Sequence, residues 1–96
     1  MGHARYDELR DLEDVLDAIR KLPGMVERAP AIFYLRRLPF LHFHTKAGAR
    51  WADAKIGSTW GDDIPIPVGA TQRAKAAFLR EVRKRHAATL AGANAR

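Results

Sequence analysis

The stretch Phe40-Leu41-His42-Phe43-His44-Thr45, followed across Lys46-Ala47-Gly48-Ala49 by Arg50-Trp51-Ala52-Asp53-Ala54-Lys55-Ile56, decides how this chain reads. Residue character alternates with period two in both halves, the mark of strands with two chemically different faces. A four-residue connection with Gly48 at a positive φ predicts a hairpin in which Thr45 faces Arg50. The same register sets Leu41 against Ala54, Phe43 against Ala52, His42 against Asp53, and His44 against Trp51. Leu41, Phe43, Ala52, Ala54 and Ile56 then share one face. The small alanines let helices approach closely, so this face is assigned to the main core.

Upstream, Ala31 to Arg37 is rich in Ile, Phe, Tyr and Leu and reads as another strand, with a tight break at Leu38-Pro39. A turn at that break sets Leu35 opposite His42 and Phe33 opposite His44. The second sheet face would then carry Phe33, Leu35, Phe40, His42, His44, Trp51, Asp53 and Lys55. Solvated sheet faces seldom hold so much aromatic area, and such a patch marks an interface or a ligand surface.

The flanks are helical. Leu9, Leu12, Val15, Leu16 and Ile19 form a stripe over Asp7 to Leu22, with Asp7 as N-cap and Pro23-Gly24 as the stop. Met25 to Pro30 reads as a connection containing at most a short extended piece. Gly57-Ser58 ends the second hairpin strand, and Trp60 to Asp63 reads as a turn. In Ile64-Pro65-Ile66-Pro67-Val68 the two prolines leave one edge without donors, which suits an edge strand and excludes a central one. Thr71 caps a last helix running to about Leu90, with Ala74, Phe78 and Val82 on its apolar side. The expectation is one α+β domain over residues 1–96: an N-terminal helix, a three- to four-stranded antiparallel sheet and a C-terminal helix in a two-layer sandwich. Residues 1–5 and 92–96 are expected to fray.

Ninety-six residues bury one modest core. There are no cysteines, so disulfides and thiolate metal sites are excluded. No apolar run approaches the roughly 20 residues that span a bilayer. The charged start from Met1 to Asp17 is unlike a signal peptide, and a cytoplasmic location without membrane contact is the expectation. The net charge of +6 is uneven: from Thr71 onward there are seven basic residues and one acidic. Arg80, Arg83 and Lys84 in that segment make nucleic acid a possible partner. No helix-turn-helix, zinc-finger or RNP-like pattern accompanies them.

The half-apolar face supports three readings. In the first, the histidines hydrogen-bond locally, one to Asp53, and the aromatics pack on a loop or on a second copy in a homodimer. In the second, His42, His44, Trp51, Asp53 and Lys55 bind an aromatic or anionic small molecule, closed over by Trp60 and the loop around Asp62, with Lys55 or Arg50 fixing charge. In the third, His42, His44 and Asp53 are metal ligands of the two-histidine, one-carboxylate type. Alternate histidines on a strand present both imidazoles to one side. His3 and His86 read as isolated, with surface or packing roles, and Asp62-Asp63 as turn residues, with cation binding as the alternative. No Gly-x-Ser-x-Gly pattern or Gly-rich phosphate loop is present, so neither a serine hydrolase nor a nucleotide cofactor is expected. The expectation is a small binding or interaction module for a small molecule or protein. The alternatives are a metal-dependent small enzyme and a nucleic-acid binder.

The runs Ile32-Phe33-Tyr34-Leu35, Phe40-Leu41-His42-Phe43-His44 and Ala52-Asp53-Ala54-Lys55 resemble small uncharacterised bacterial proteins. More loosely, they are similar to the domain family grouped with fungal luciferases, in which a leading helix ends near Leu-Pro-Gly, here Leu22-Pro23-Gly24, and a strand carries His-x-His. The likeness spans roughly Leu22 to Val68. It implies a compact α+β domain of unassigned biochemical role, not a light-emitting reaction.

Overall fold

The two-residue periodicity around His42 produces the longest strands of the molecule. The computed structural model describes residues 3–94. After a 3-10 segment at Tyr6–Leu12 come α1 (Glu13–Arg20), β1 (Met25–Ala29), β2 (Ile32–Leu35), β3 (Leu38–Lys46), β4 (Ala49–Ile56), β5 (Thr59–Trp60), β6 (Ile64–Pro65) and α2 (Gln72–Asn94). The strands form one antiparallel sheet in the order β1-β2-β3-β4-β5, with β6 also paired to β4. The architecture is the expected α+β arrangement, with more strands than three or four.

Between β3 and β4 the register is the expected one: Leu41 faces Ala54, His42 faces Asp53, Phe43 faces Ala52, and His44 faces Trp51. The ladder continues to Lys46 and Ala49, so the connection is two residues rather than four. Ala47 and Gly48 have φ of 51° and 83°, the paired positive values of a turn that matches strand twist.

The β2–β3 hairpin departs from expectation. Its turn is Arg36-Arg37, not Leu38-Pro39, with Leu35 opposite Leu38 and Tyr34 opposite Pro39. Arg36 takes φ of 62°, a conformation that Gly or Asn would signal and Arg does not. Phe40 is then an extra residue on β3, because Phe33 faces Leu41. The shift exchanges faces. Phe33, Leu35 and Phe40 are all buried in the core and leave the histidine face altogether.

That core is continuous. Leu9, Leu12, Val15, Leu16 and Ile19 from the N-terminal helical segment meet Phe33, Leu41, Phe43, Ala52 and Ala54 from the sheet and Phe78 and Val82 from α2. Ala52 and Ala54 are wholly buried, as expected of positions under closely packed helices. Phe43 and Phe78 stack with ring centroids 5.9 Å apart. Both helices thus cover one sheet face and leave the other to the histidines.

Several local readings need correction. The first two turns are 3-10 and begin at Tyr6, so Asp7 is not the N-cap; Glu8 reaches back to accept the Arg5 N–H at 2.8 Å. Met25–Ala29 is a strand, and Thr59–Trp60 pairs with β4 instead of turning. Residues 3–5 are held, with the Ala4 N–H donating to Phe43 O at 2.8 Å. α2 continues past Leu90 to Asn94. The expected fraying of residues 1, 2, 95 and 96 lies outside the described residues. Thr71 does cap α2, its Oγ1 accepting the Ala74 N–H at 3.1 Å. The Ile-Pro-Ile-Pro segment does lie at an edge, with Ile64 facing Ala52 and the Ile66 N–H donating to Arg50 O at 3.1 Å.

Candidate functional site

His42 and His44 are two apart on β3, so both imidazoles leave the same side of the sheet. Asp53 is the direct cross-strand partner of His42 and diagonal to His44. One carboxylate oxygen serves both rings. Asp53 Oδ2 stands 2.9 Å from His44 Nε2 and 3.4 Å from His42 Nε2. One possible ligand atom from each of the three residues lies within 4.8 Å of the other two.

Aromatic rings wall the cluster. Trp60 from β5 stacks on His42, with centroids 4.9 Å apart and planes 17° off parallel. Trp51 lies against His44 at 5.5 Å. Lys55 Nζ sits over the Trp60 ring, 5.1 Å from its centroid. The expected binding residues His42, His44, Trp51, Asp53, Lys55 and Trp60 are therefore brought together. Beside them a recess of about 240 Å³ runs between Tyr34, Pro39, His42 and Trp60.

Two further residues stand beside the cluster, His3, which carries no signal in the sequence, and Asp63, from the loop expected to close over the face. His3 is drawn in because Ala4 bonds to the free edge of β3; its ring centroid is 4.6 Å from that of His42 and 5.7 Å from that of His44. Asp63 lies beside Asp53. Loss of hydration, and then the adjacent Asp53 carboxylate, push its carboxyl up. His42 is driven the other way. Burial, and then the neighbouring His44 and His3, hold its imidazole below the usual histidine range, against the pull of Asp53. His42 is thereby kept in the neutral form that can donate a lone pair. His44 Nδ1 is buried and has no partner among the described residues. Such an atom is costly unless a ligand or an ordered water reaches it.

The other candidates separate from this face. Arg50 does not fix charge there. Its side chain is wholly buried on the core side, bidentate to Asp11 at 2.7 and 2.8 Å and donating to the carbonyls of Glu8, Ile66 and Pro67. Arg85 is buried as well, donating to Ala54 O and Asp62 O. His86 packs as expected, its Nε2 2.7 Å from Pro23 O. Arg80, Arg83 and Lys84 are exposed on α2, in the helical layer, not on the histidine face.

No family model matches the chain, and neither a curated protein nor a solved structure is found to be similar to it.

Proposed function

We propose that the open sheet face binds a divalent transition-metal ion through His42, His44 and Asp53. One observation carries the reading: a single carboxylate oxygen stands 2.9 and 3.4 Å from two imidazole nitrogens of alternate strand residues. Donors about 2.1 Å from an ion lie about 3.0 Å apart at octahedral angles and about 3.4 Å apart at tetrahedral angles. The two carboxylate–imidazole distances are close to that spacing, and all three donors lie within 4.8 Å of one another. Two neutral imidazoles and one carboxylate suit zinc or iron(II). Three protein donors leave at least one position for water or a small ligand. The recess beside His42, floored by Pro39 and walled by Tyr34 and Trp60, is where such a ligand would lie.

The test is thermal unfolding of chelator-treated protein with and without Zn(II), Fe(II), Co(II) or Ni(II). An ion at about 100 times its Kd adds about 2.7 kcal/mol, a rise in Tm of about 10–20 °C for a domain this size. His44→Ala and Asp53→Asn are expected to abolish the rise. A flat response to every ion tried removes the proposal.

The aromatic walls favour a second reading, in which the same face binds a small molecule or a protein surface without metal. It predicts ligand stabilisation that persists in chelator and disappears in Trp51→Ala.

A further inference from the structure

We propose a second binding site, for an amphipathic carboxylate the size of a medium-chain fatty acid, at the end of the molecule where α2 meets the β2–β3 turn. The site is independent of the metal reading. A cavity of about 330 Å³ opens there, lined by the apolar side chains of Leu35, Leu38, Pro39, Phe40 and Leu90. This volume lies within the roughly 300–1,000 Å³ range of small-molecule sites. At the roughly 30 Å³ that a water-sized group occupies, it holds a body of about ten methylene-sized groups.

The charged residues at its rim are all cationic. Arg36, Arg37 and Lys55 line the cavity, and no carboxylate does. Among the described residues, no ion pair or hydrogen bond engages the Arg36 and Arg37 side chains, whereas the Lys55 ammonium lies over Trp60 on the histidine face. Arg20, Arg50, Lys75 and Arg85 each meet a carboxylate. Apolar walls beside two unmatched arginines fit a ligand with a hydrocarbon body and one anionic head.

The backbone points the same way. Arg36 holds φ of 62°, where a side chain is disfavoured and Gly or Asn would relieve the turn. Leu38, next but one, leaves 64% of its surface exposed at the cavity mouth. Both are accounted for if the arginine grips a headgroup and the leucine covers an alkyl chain.

The experiment titrates chelator-treated protein, at low salt, with decanoate below its aggregation threshold, reading heat and Tm. Decanol and decyltrimethylammonium serve as neutral and cationic controls. Decanoate is expected to raise Tm and to bind at least tenfold more tightly than either control. The Arg36→Asn/Arg37→Gln double variant should weaken decanoate at least tenfold while keeping its native circular dichroism, since both positions are exposed and Asn tolerates the turn. Leu38→Asn should weaken decanoate and decanol together. No decanoate binding, or decanol binding equally well, or undiminished binding by the double variant, overturns the proposal. So does association only with vesicles of anionic lipid, which would make the same tip a membrane-surface contact. A metal response lost in Asp53→Asn with decanoate binding retained separates this site from the histidine face.

Discussion

Arg50 is the single residue whose chemistry ranges furthest through the fold. Its guanidinium joins β4 to the 3-10 segment through Asp11 and Glu8, and to the edge segment through the Ile66 and Pro67 carbonyls. Hydrogen bonds to a charged group contribute about 1.5–3 kcal/mol, and Asp11, partly exposed, keeps some hydration when the guanidinium is removed. Arg50→Met is therefore expected to lose about that much in urea unfolding; a loss under 1 kcal/mol contradicts the clasp. Asp11 gives the same contact a pH signature. The Arg50 hydrogen bonds, helped by the Gly69 N–H and opposed by burial, lower its carboxyl to about 2. A carboxyl depressed in the folded state stabilises fully above its ordinary value near 3.8 and loses that contribution as pH falls toward 2. Asp11→Asn should flatten the stability profile between about pH 4 and pH 2. Sequence could not disclose this pair. An arginine in a strand reads as solvated, and nothing local says that Asp11 waits thirty-nine residues away.

At the scale of elements, legibility followed the strength of the local signal. The β3–β4 ladder was readable because Leu41, Phe43, Ala52 and Ala54 alternate with polar residues on both strands, so only one register buries the apolar set. The same alternation sets His42 against Asp53. The β2–β3 hairpin was opaque because Pro39 mimics a turn while Arg36, the residue with positive φ, carries no turn signature. Phe40, doubled up at the bulge, then sent three large side chains to the wrong face. β1 reads from sequence as no more than a short extended piece within a connection, because Glu27 and Arg28 dilute its apolar character. The β3–β4 turn invites a direct check. Ala47 is exposed at φ of 51°, and replacing it with Gly removes a penalty of about 1 kcal/mol. Ala47→Gly should therefore raise stability by about 0.5–1 kcal/mol in chemical denaturation, whereas Ala47→Val should lower it.

Across the whole molecule, charge and chemistry occupy opposite layers. The helices cover one sheet face and expose Arg73, Arg80, Arg83 and Lys84; the histidines occupy the other face. Lys75 and Arg85 are withdrawn from the basic surface by Asp14 and Glu81. Four free cations predict sequence-independent binding to duplex DNA that weakens about 10²-fold between 50 and 200 mM salt. A gel shift at low salt that vanishes in an Arg80→Glu, Arg83→Glu, Lys84→Glu variant would establish it. Absence of any shift removes nucleic acid from the partners. The layers are nonetheless mechanically joined. Ala54 O takes the Gly61 N–H and Arg85 Nη1, each at 3.0 Å, and a methyl group on Gly61 would fall 2.7 Å from that same guanidinium nitrogen. The segment bearing Trp60 and Asp63 is consequently moored to α2 through the sheet. Peeling Trp60 off the imidazoles requires the helix to slip its anchor, so amides of that segment should exchange with solvent in step with those around Arg85, as one cooperative unit.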